Sequence, residues 1–300
     1  MTSELKDEID LFITHLAQER RLSAHTVSAY QRDLKHSQPF FANCNVKSWQ
    51  EIKPNHVRQY LAELHRQGLA SRSIHRVLSS LRSFFRFLIR EALITQNPAQ
   101  SVQAPKVEKR LPSTLDVDQV TSLLSAPEEG TMIACRDHAI MELFYSSGIR
   151  LSELANLDVR DIDLDDQLVY VTGKGNKSRV VPIGSKAIEA LKVWLEQRQQ
   201  MGRYEQTALF ISKRGRRLGV RSIQQRLKYW GIQQGISGHV HPHRLRHAFA
   251  SHMLESSGDL RAVQELLGHA DISTTQVYTH VDFQHLANVY DNAHPRAKKK

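Results

Sequence analysis

Four residues in the C-terminal part of the sequence have the types that phosphate chemistry uses: His243, Arg246, His269 and Tyr278. Arginine binds phosphate through a planar and permanently charged fork, histidine transfers protons near neutral pH, and a tyrosine hydroxyl can act as a nucleophile. His243 and Arg246 are three residues apart, so a helix places them one turn apart on the same face. Brought together, these four side chains could hold a phosphate and attack it.

The elements around these residues can be predicted from capping signals. Asp259 is suited to begin a short apolar helix and Gly268 to end it, which places His269 on the turn that follows. A capping box that starts at Ser273 predicts a further helix, with Tyr278 in its first turns.

Two more basic residues stand at predicted element boundaries upstream. Gly148 fits the end of one helix, and Arg150 follows it just before the next helix begins, where backbone on both sides can hold a guanidinium. β-branched runs at 167–172 and 179–183 predict a hairpin with Lys174 at its tip. The tip is not a P-loop, because the glycine, lysine and serine order of that motif is absent. Taken singly, each residue is more commonly a surface arginine or a solvated turn lysine.

Composition narrows the class of protein. The 300 residues are 40% hydrophobic, enough for one large or two ordinary domains, and the net charge of +10 with a pI of about 9.7 indicates a polyanionic partner. Cys44 and Cys135 lack metal-site spacing, and no apolar run predicts a signal peptide or a membrane span. We therefore expect a reduced, cytoplasmic protein without membrane insertion.

Amphipathic helices are predicted throughout the first hundred residues. They cover 3–18, then 23–37 with an end before Pro39, then 53–66, and finally 71–93. Basic charge is concentrated late in this region, because residues 52–106 contain nine Lys or Arg against two Asp or Glu. An all-helical domain over 1–94 follows from this pattern.

The fourth predicted helix has an arginine stripe opposite its apolar face. At about 100° per residue the arginines fall within an arc of roughly 120°. A stripe of one sign favours contact with DNA, although an ordinary solvated face remains the alternative. The residues predicted to bind DNA here are Arg72, Arg76, Arg82, Arg86 and Arg90.

Prolines at 98, 105 and 112 predict an extended basic linker over 95–113. Helical patterns resume in a second domain, which is interrupted by the hairpin. A second basic cluster precedes a helix near residue 223 and suits phosphate contact. The residues predicted to bind DNA from this cluster are Arg214, Arg217 and Arg221.

The combined motifs resemble those of one protein family over essentially the whole chain. The residues that match it in order and spacing are Arg150, Lys174, His243-x-x-Arg246, Leu-Gly-His269 and Tyr278. They are similar to those of the tyrosine site-specific recombinases, the phage integrase family. The resemblance implies a mainly α fold with an all-helical SAM-like core-binding domain (1–94) and a mostly helical catalytic domain (114–290) with a small antiparallel β-sheet or hairpin. A basic tail (291–300) would follow.

The resemblance also implies roles for these residues. Tyr278 would attack a DNA phosphate and leave a 3′-phosphotyrosyl link, so that rejoining needs no ATP. Arg150 and Arg246 would bind the non-bridging oxygens, and Lys174 would protonate the 5′-oxygen leaving group. His243 would act in proton transfer, and the imidazole that follows Gly268 would hydrogen-bond the phosphate. No metal and no other cofactor is expected.

The partners implied by the resemblance are double-stranded DNA with a dif-type site, a paralogous recombinase in a heterotetramer on two sites, and an FtsK-type translocase as regulator. The work of such a complex is the resolution of chromosome or plasmid dimers for segregation at cell division. The apolar positions between Phe283 and Tyr290 predict a helix that docks on a neighbouring protomer, with folding onto its own domain as the alternative.

Two other functions remain open from the residues alone. A metal-dependent nuclease would use the crowded histidines at 239, 241, 243, 247 and 252, although the cluster contains no carboxylate and the closest in sequence are Glu255 and Asp259. A non-catalytic architectural protein would bend or bridge DNA sites without forming any covalent product.

Overall fold

The computed structural model describes residues 4–20, 22–106, 114–125, 131–173, 178–201, 207–236, 240–268 and 280–297. It divides into two compact units, Met1–Arg110 and Leu111–Lys300. Both are mainly helical, and the second contains a small antiparallel sheet, so the predicted fold class is confirmed. None of the helices in the described part of the chain combines the length and apolar character needed to cross a bilayer.

Helices in the described residues of the first unit surround one apolar core. Its largest side chains include Phe12, Trp49 and Phe84, whose rings pack edge to face or at a tilt. The helices are α1 (Glu4–Gln18), α2 (Ala24–Asn43), α3 (Pro54–Arg66) and α4 (Ser71–Arg90).

Helix α4 matches the predicted amphipathic pattern closely. The apolar residues of its predicted stripe are buried, as expected for a helix that packs one face onto a core. They are Ile74, Val77, Leu78, Leu81, Phe84, Phe85 and Leu88.

Helix α2 is longer than the sequence predicts. The prediction that it ends before Pro39 is wrong, because the helix continues through the proline to Asn43. A proline inside a helix removes one backbone donor, which is costly on its own. Packing offsets that cost here, since Phe41 is buried and contacts both Trp49 and Tyr60.

The segment after α4 packs onto the first unit beyond residue 94, where the predicted linker begins. Ala99 and Val102 are buried in the core of this unit. Arg82 holds the segment in place, donating from Nε to the carbonyl of Ala99 at 3.0 Å and from Nη2 to the carbonyl of Val102 at 2.6 Å. The first unit therefore includes the beginning of the predicted linker.

The second unit places helices around a larger core. The pair α6 and α8 forms its centre, where Phe144 and Trp194 are completely buried. The helices in its described residues are α5 (Val117–Leu124), α6 (Met132–Ser147), α7 (Leu151–Asn156), α8 (Ser185–Gln199), α9 (Val220–Gln233), α10 (Pro242–Ser257), α11 (Leu260–Leu267) and α12 (His280–Ala293).

The predicted hairpin is present as two strands of a three-stranded antiparallel sheet. Strand β2 (Leu168–Thr172) pairs with β3 (Ser178–Pro182), with Val169 opposite Val181. A two-residue strand that the sequence does not predict, β1 (Ile162–Asp163), pairs with the outer side of β2. The hairpin tip, residues 174–177, lies outside the described residues.

The last described segment, residues 280–297, packs onto its own unit. Leu286 and Tyr290 of α12 are buried there, and the Tyr290 hydroxyl lies 2.5 Å from Ser146 Oγ on α6. Beyond the helix, His294 packs among aromatic rings and Arg296 pairs with buried Glu142 at 3.1 Å. These contacts of α12 lie within its own unit.

Candidate active site

Arg150 stands at a sharp joint between α6 and α7. Helix α6 ends at Gly148, whose φ of 57° is the left-handed conformation that glycine adopts without strain. A Cβ at Gly148 would lie 2.2 Å from a ring carbon of Phe249, so glycine is also required for this close approach. Arg150 is the N-cap residue of α7, and its side chain is 41% exposed.

The Arg150 guanidinium is fixed by two acceptors. Nη1 donates to Glu153 at 2.9 Å, and Nη2 donates to the carbonyl of Gly268 at 2.7 Å. Gly268 ends α11 in the left-handed conformation, and Asp259 caps the start of that helix, as the sequence predicts. The joint before α7 and the turn after α11 are therefore connected through one guanidinium.

Arg246 reaches the same turn from α10. It donates to the carbonyl of Gly148 and, at 2.8 Å, to the carbonyl of Leu267. Burial and then repulsion from Arg150 lower the pKa of Arg246 to about 10, so the guanidinium remains charged at neutral pH. The two arginines that the sequence singled out are brought together.

Glu153 and Arg179 complete this cluster, and neither is predicted as a site residue from the sequence. Arg179 on β3 donates from Nη1 and Nη2 to the two carboxylate oxygens of Glu153, at 3.1 and 2.9 Å. Burial alone would raise the pKa of Glu153, but hydrogen bonds from Arg179 and from the Arg150 backbone N–H hold it below its usual 4.5. Glu153 follows Arg150 by three residues, the capping-box spacing that could have revealed it. Arg179 carries no comparable sequence signal.

The cluster has the electrostatics of an anion site. Three guanidinium groups, those of Arg150, Arg179 and Arg246, surround one carboxylate, so an excess of positive charge remains. Arg179 is buried and the other two are half-buried, so their charges are less screened than in water. Phosphates and carboxylates are the anions whose paired oxygens match such forks.

His243 lies in the first turn of α10 and is exposed, one turn before Arg246 as the spacing predicts. His241 caps that helix, accepting from the backbone N–H of Arg244 at 3.2 Å, and its ring centroid lies 6.4 Å from that of His243. Exposure leaves the His243 imidazole accessible for proton transfer.

Three of the predicted catalytic residues, Lys174, His269 and Tyr278, lie outside the described residues, as does the predicted capping box at Ser273. The elements that flank them are described: β2 and β3 on both sides of Lys174, and Gly268 directly before His269. Helix α12 begins at His280, two residues after Tyr278.

The arginine stripe of α4 divides into two kinds of residue. Arg82 is half-buried and bound to backbone carbonyls, and Arg76 forms an ion pair with buried Asp33 of α2. Arg90 is exposed and pairs with Glu91 at 2.7 Å. Arg72 and Arg86 are exposed, and neither forms an ion pair with a described carboxylate.

The second basic cluster divides in the same way. Arg217 is half-buried, donating to Asp158 at 2.5 Å and to the carbonyl of Leu157 at 2.9 Å. Arg214 and Arg221 are exposed. Exposed arginines can reach a polyanion without giving up an internal partner, so these two are better placed for it than Arg217.

The described histidines of the nuclease alternative do not converge on one site. His252 is buried, with Nδ1 2.9 Å from the Tyr145 hydroxyl, whereas His247 is exposed on α10. His239 lies outside the described residues. Within the described ranges, no group of three or more histidine, cysteine or acidic side chains is arranged to hold a metal ion.

Comparison with known proteins defines the class. Residues 113–285 match the phage integrase family, and residues 9–92 match the N-terminal SAM-like domain of phage integrases. These two matches cover most of the chain. The chain therefore belongs to the phage integrase family and is a tyrosine recombinase, an enzyme of DNA recombination.

Within that family the chain is similar to XerC proteins. It is 54% identical to the tyrosine recombinase XerC of Alcanivorax borkumensis over 294 residues, which are 97% of this chain and 95% of that one. The crystal structure of XerA recombinase is 28% identical, with a TM-score of 0.51, and covers 98% of this chain and 100% of its own. The post-cleavage complex of XerH with its palindromic difH substrate shares the fold, with a TM-score of 0.70 at 21% identity over 91% of this chain and 81% of its own.

Proposed function

We propose that Arg150 and Arg246 hold the scissile phosphate of a DNA strand while Tyr278 attacks it. The observation that carries this proposal is the convergence of the two guanidiniums, from α7 and α10, on the adjacent carbonyls of Gly268 and Leu267. Attack forms a bond from the tyrosine oxygen to phosphorus and breaks the bond to the 5′-oxygen. The 3′-phosphotyrosyl product keeps the phosphodiester energy, so rejoining needs no ATP.

The remaining roles follow from chemistry and family resemblance. Lys174 gives a proton to the departing 5′-oxygen, and His243 transfers a proton at the attacking or leaving oxygen. His269 hydrogen-bonds a phosphate oxygen. Arginine charge stabilises the pentavalent transition state, an effect on the order of 10³-fold or more in phosphoryl transfer.

Exposed arginines on both units hold the duplex in this proposal. Arg72 and Arg86 on α4 and Arg214 and Arg221 near the start of α9 contact DNA phosphates or bases. Arg76 and Arg90 are ion-paired but still partly exposed, and they contribute further contacts to DNA. Arg82 and Arg217 act indirectly, by holding backbone segments that their side chains already bind.

The biological setting is inferred from the similarity to XerC proteins. The chain works in the cytoplasm with a XerD-like paralogue, two protomers of each on two dif-type sites. The complex exchanges strands through a Holliday junction and resolves chromosome and plasmid dimers before cell division, in chromosome partition. An FtsK-type translocase regulates the complex.

Covalent capture of DNA tests the central step. A dif-like duplex nicked near the scissile phosphate is incubated in EDTA with wild type, Tyr278→Phe or Tyr229→Phe, whose tyrosine is exposed elsewhere on the second unit. A covalent band on a denaturing gel is expected from wild type and Tyr229→Phe and is absent from Tyr278→Phe. The XerD-like partner is added if wild type binds without cleaving.

Other outcomes of the same experiment favour the two alternatives. Binding without a covalent band, even with the partner present, contradicts the proposal and favours an architectural protein. Cleavage that appears only after metal is added, and that survives Tyr278→Phe, favours a nuclease.

A further inference from the structure

Arg179 connects three segments of the second unit, and the reaction described above assigns it no role. It is the second residue of β3, and its side chain is only 8% exposed. We propose that Arg179 is a positioning residue, which fixes Arg150 and the turn at Gly268 in the geometry that phosphate cleavage requires. This inference rests on the proposed function of the arginine cluster.

The first connection is to the carboxylate that orients Arg150. Both Nη atoms of Arg179 donate to Glu153, whose Oε1 also accepts from Arg150 Nη1 at 2.9 Å. The other oxygen accepts from the Arg150 backbone N–H at 2.7 Å. The position of Glu153, and through it that of the Arg150 side chain, therefore depends on Arg179.

The second connection is to the end of α11. Arg179 Nε donates to the carbonyl of Leu266 at 3.3 Å. Packing is tight at this point, since a Cβ at Gly268 would lie 3.0 Å from Arg179 Nε. Arg179 thus binds the turn from one side while Arg150 and Arg246 bind its next carbonyls, those of Gly268 and Leu267.

The third connection is the hairpin itself. Arg179 pairs with Val171 across the sheet, and the strand it belongs to begins at Ser178, next to the hairpin tip. A single side chain therefore ties the hairpin to the joint at Arg150 and to the turn that precedes His269. Three segments distant in sequence meet at one guanidinium.

Only arginine has the donor geometry for this role. Its planar group presents donors in fixed directions, and here Nε, Nη1 and Nη2 each have an acceptor. A lysine at the same position would keep the charge but could not reproduce the fork and the third bond together. Burial of all three nitrogens against protein acceptors separates Arg179 from the role of Arg150, whose side chain is much more exposed.

A matched control exists in the same unit. Arg136 is similarly buried and likewise binds one carboxylate and one backbone carbonyl, through different nitrogens. It donates from Nε and Nη2 to Asp137, at 3.1 and 2.7 Å, and from Nη1 to the carbonyl of Ile211 at 3.0 Å. Substitution of Arg136 therefore removes a comparable stabilising cluster that does not contact Arg150, Glu153 or Gly268.

The experiment compares Arg179→Lys and Arg179→Met with Arg136→Lys and Arg136→Met. Each variant is measured for urea unfolding, for affinity to the dif-like duplex, and for the first-order rate of covalent complex formation at saturating protein. A double variant, Glu153→Leu with Arg179→Met, is used if Arg179→Met alone does not fold. It removes both partners of the buried pair, and the one charge left without its carboxylate is that of Arg150, whose side chain is 41% exposed.

We expect the two sets of variants to lose stability similarly and to bind DNA with near wild-type affinity. Cleavage at saturation should fall on the order of 10²-fold for the Arg179 variants and the double variant, and less than about threefold for the Arg136 variants. Arg179→Lys or the double variant cleaving at the wild-type rate would overturn the proposal, as would equal rate losses in both sets. Failure of wild type to form the covalent complex would instead refute the proposed function.

Discussion

Arg150 and Arg246 donate to the carbonyl groups of consecutive residues, Arg150 to Gly268 at 2.7 Å and Arg246 to Leu267 at 2.8 Å. Arg246 also binds the carbonyl of Gly148, two residues before Arg150. Both guanidiniums thus bind the backbone at the end of α11, and Arg246 also binds the backbone at the end of α6. The arrangement keeps two like charges close together, so repulsion from Arg150 adds to burial, the larger cause, in lowering the pKa of Arg246.

Substitution of Arg150 or Arg246 by lysine should impair DNA cleavage without weakening DNA binding. Arg150→Lys and Arg246→Lys keep a positive charge but lose the fork that grips two phosphate oxygens. Covalent complex formation should fall by about 10³-fold, whereas affinity for the duplex, measured by gel shift, should change less than about threefold. Parallel losses in affinity and rate would contradict a role in the transition state.

Removal of the Glu153 charge should destabilise the fold. Glu153→Gln leaves Arg150 and Arg179 without the carboxylate that they share, and losing one partner of a buried pair typically costs about 3–5 kcal/mol. Urea unfolding measures this change. Glu189→Gln is the control, because its pair with Lys186 is exposed and should contribute less than about 1 kcal/mol. Equal effects of the two substitutions would show that the buried cluster is not a stabilising one.

The buried His294 should make the folding stability of the second unit sensitive to acid. Its Nδ1 accepts from the Arg296 backbone N–H at 3.1 Å and its Nε2 lies 3.4 Å from the Tyr145 carbonyl oxygen, so the neutral ring satisfies both contacts. Burial, with contributions from Arg296 and His252, lowers the pKa of His294 to about 3. Between about pH 6.5 and 3 the unfolded chain therefore binds a proton that the folded chain does not.

Stability should consequently fall as the pH drops below about 6.5, with His294 contributing up to about 1.4 kcal/mol per pH unit. His294→Gln keeps a donor and an acceptor but cannot be protonated, so its unfolding free energy should depend less steeply on pH. His247→Gln, at an exposed position of the same unit, should retain the wild-type slope. Urea unfolding at pH 7.5 and 5.5 distinguishes these outcomes, and identical slopes in all three proteins would refute the assignment.

Substitution of two arginines on α4, Arg82 and Arg86, should have different effects on DNA binding and stability. Arg86→Ala removes an exposed charge, so affinity for the duplex should fall and the salt dependence of binding should decrease by about one unit of slope. Arg82→Ala frees the segment at Ala99 and Val102, so it should lower stability instead. Gel shifts over a range of salt, together with urea unfolding, separate the two. A change of salt slope for Arg82→Ala alone would reverse the assignment.

Local signals made much of this structure predictable. The helix ends at Gly148 and Gly268, the cap at Asp259 and the apolar stripe of α4 depend on nearby residues, and all four are confirmed. Helix α2 continues through Pro39 because of tertiary packing, which has no local signature.

The sequence likewise did not predict which arginines are exposed and which are bound to other parts of the protein. Arg82 and Arg86 have the same chemistry and lie on the same stripe, yet only Arg82 is bound by a segment that returns from later in the chain. Glu153 and Arg179 are 26 residues apart, so no periodic pattern relates them. Family resemblance gives candidates for the attacking and phosphate-binding residues, but none for the side chains that hold them in position.

Neutralisation of the scissile phosphate tests the central claim most directly. A methylphosphonate at that position replaces one charged non-bridging oxygen with a methyl group, so a guanidinium that offsets this charge becomes dispensable. Arg246→Ala should form the covalent complex about 10³-fold more slowly than wild type on phosphate DNA, and within about tenfold of wild type on methylphosphonate DNA. An equal defect on both substrates would contradict the account, because it would show that Arg246 acts on the fold rather than on the charge of the phosphate.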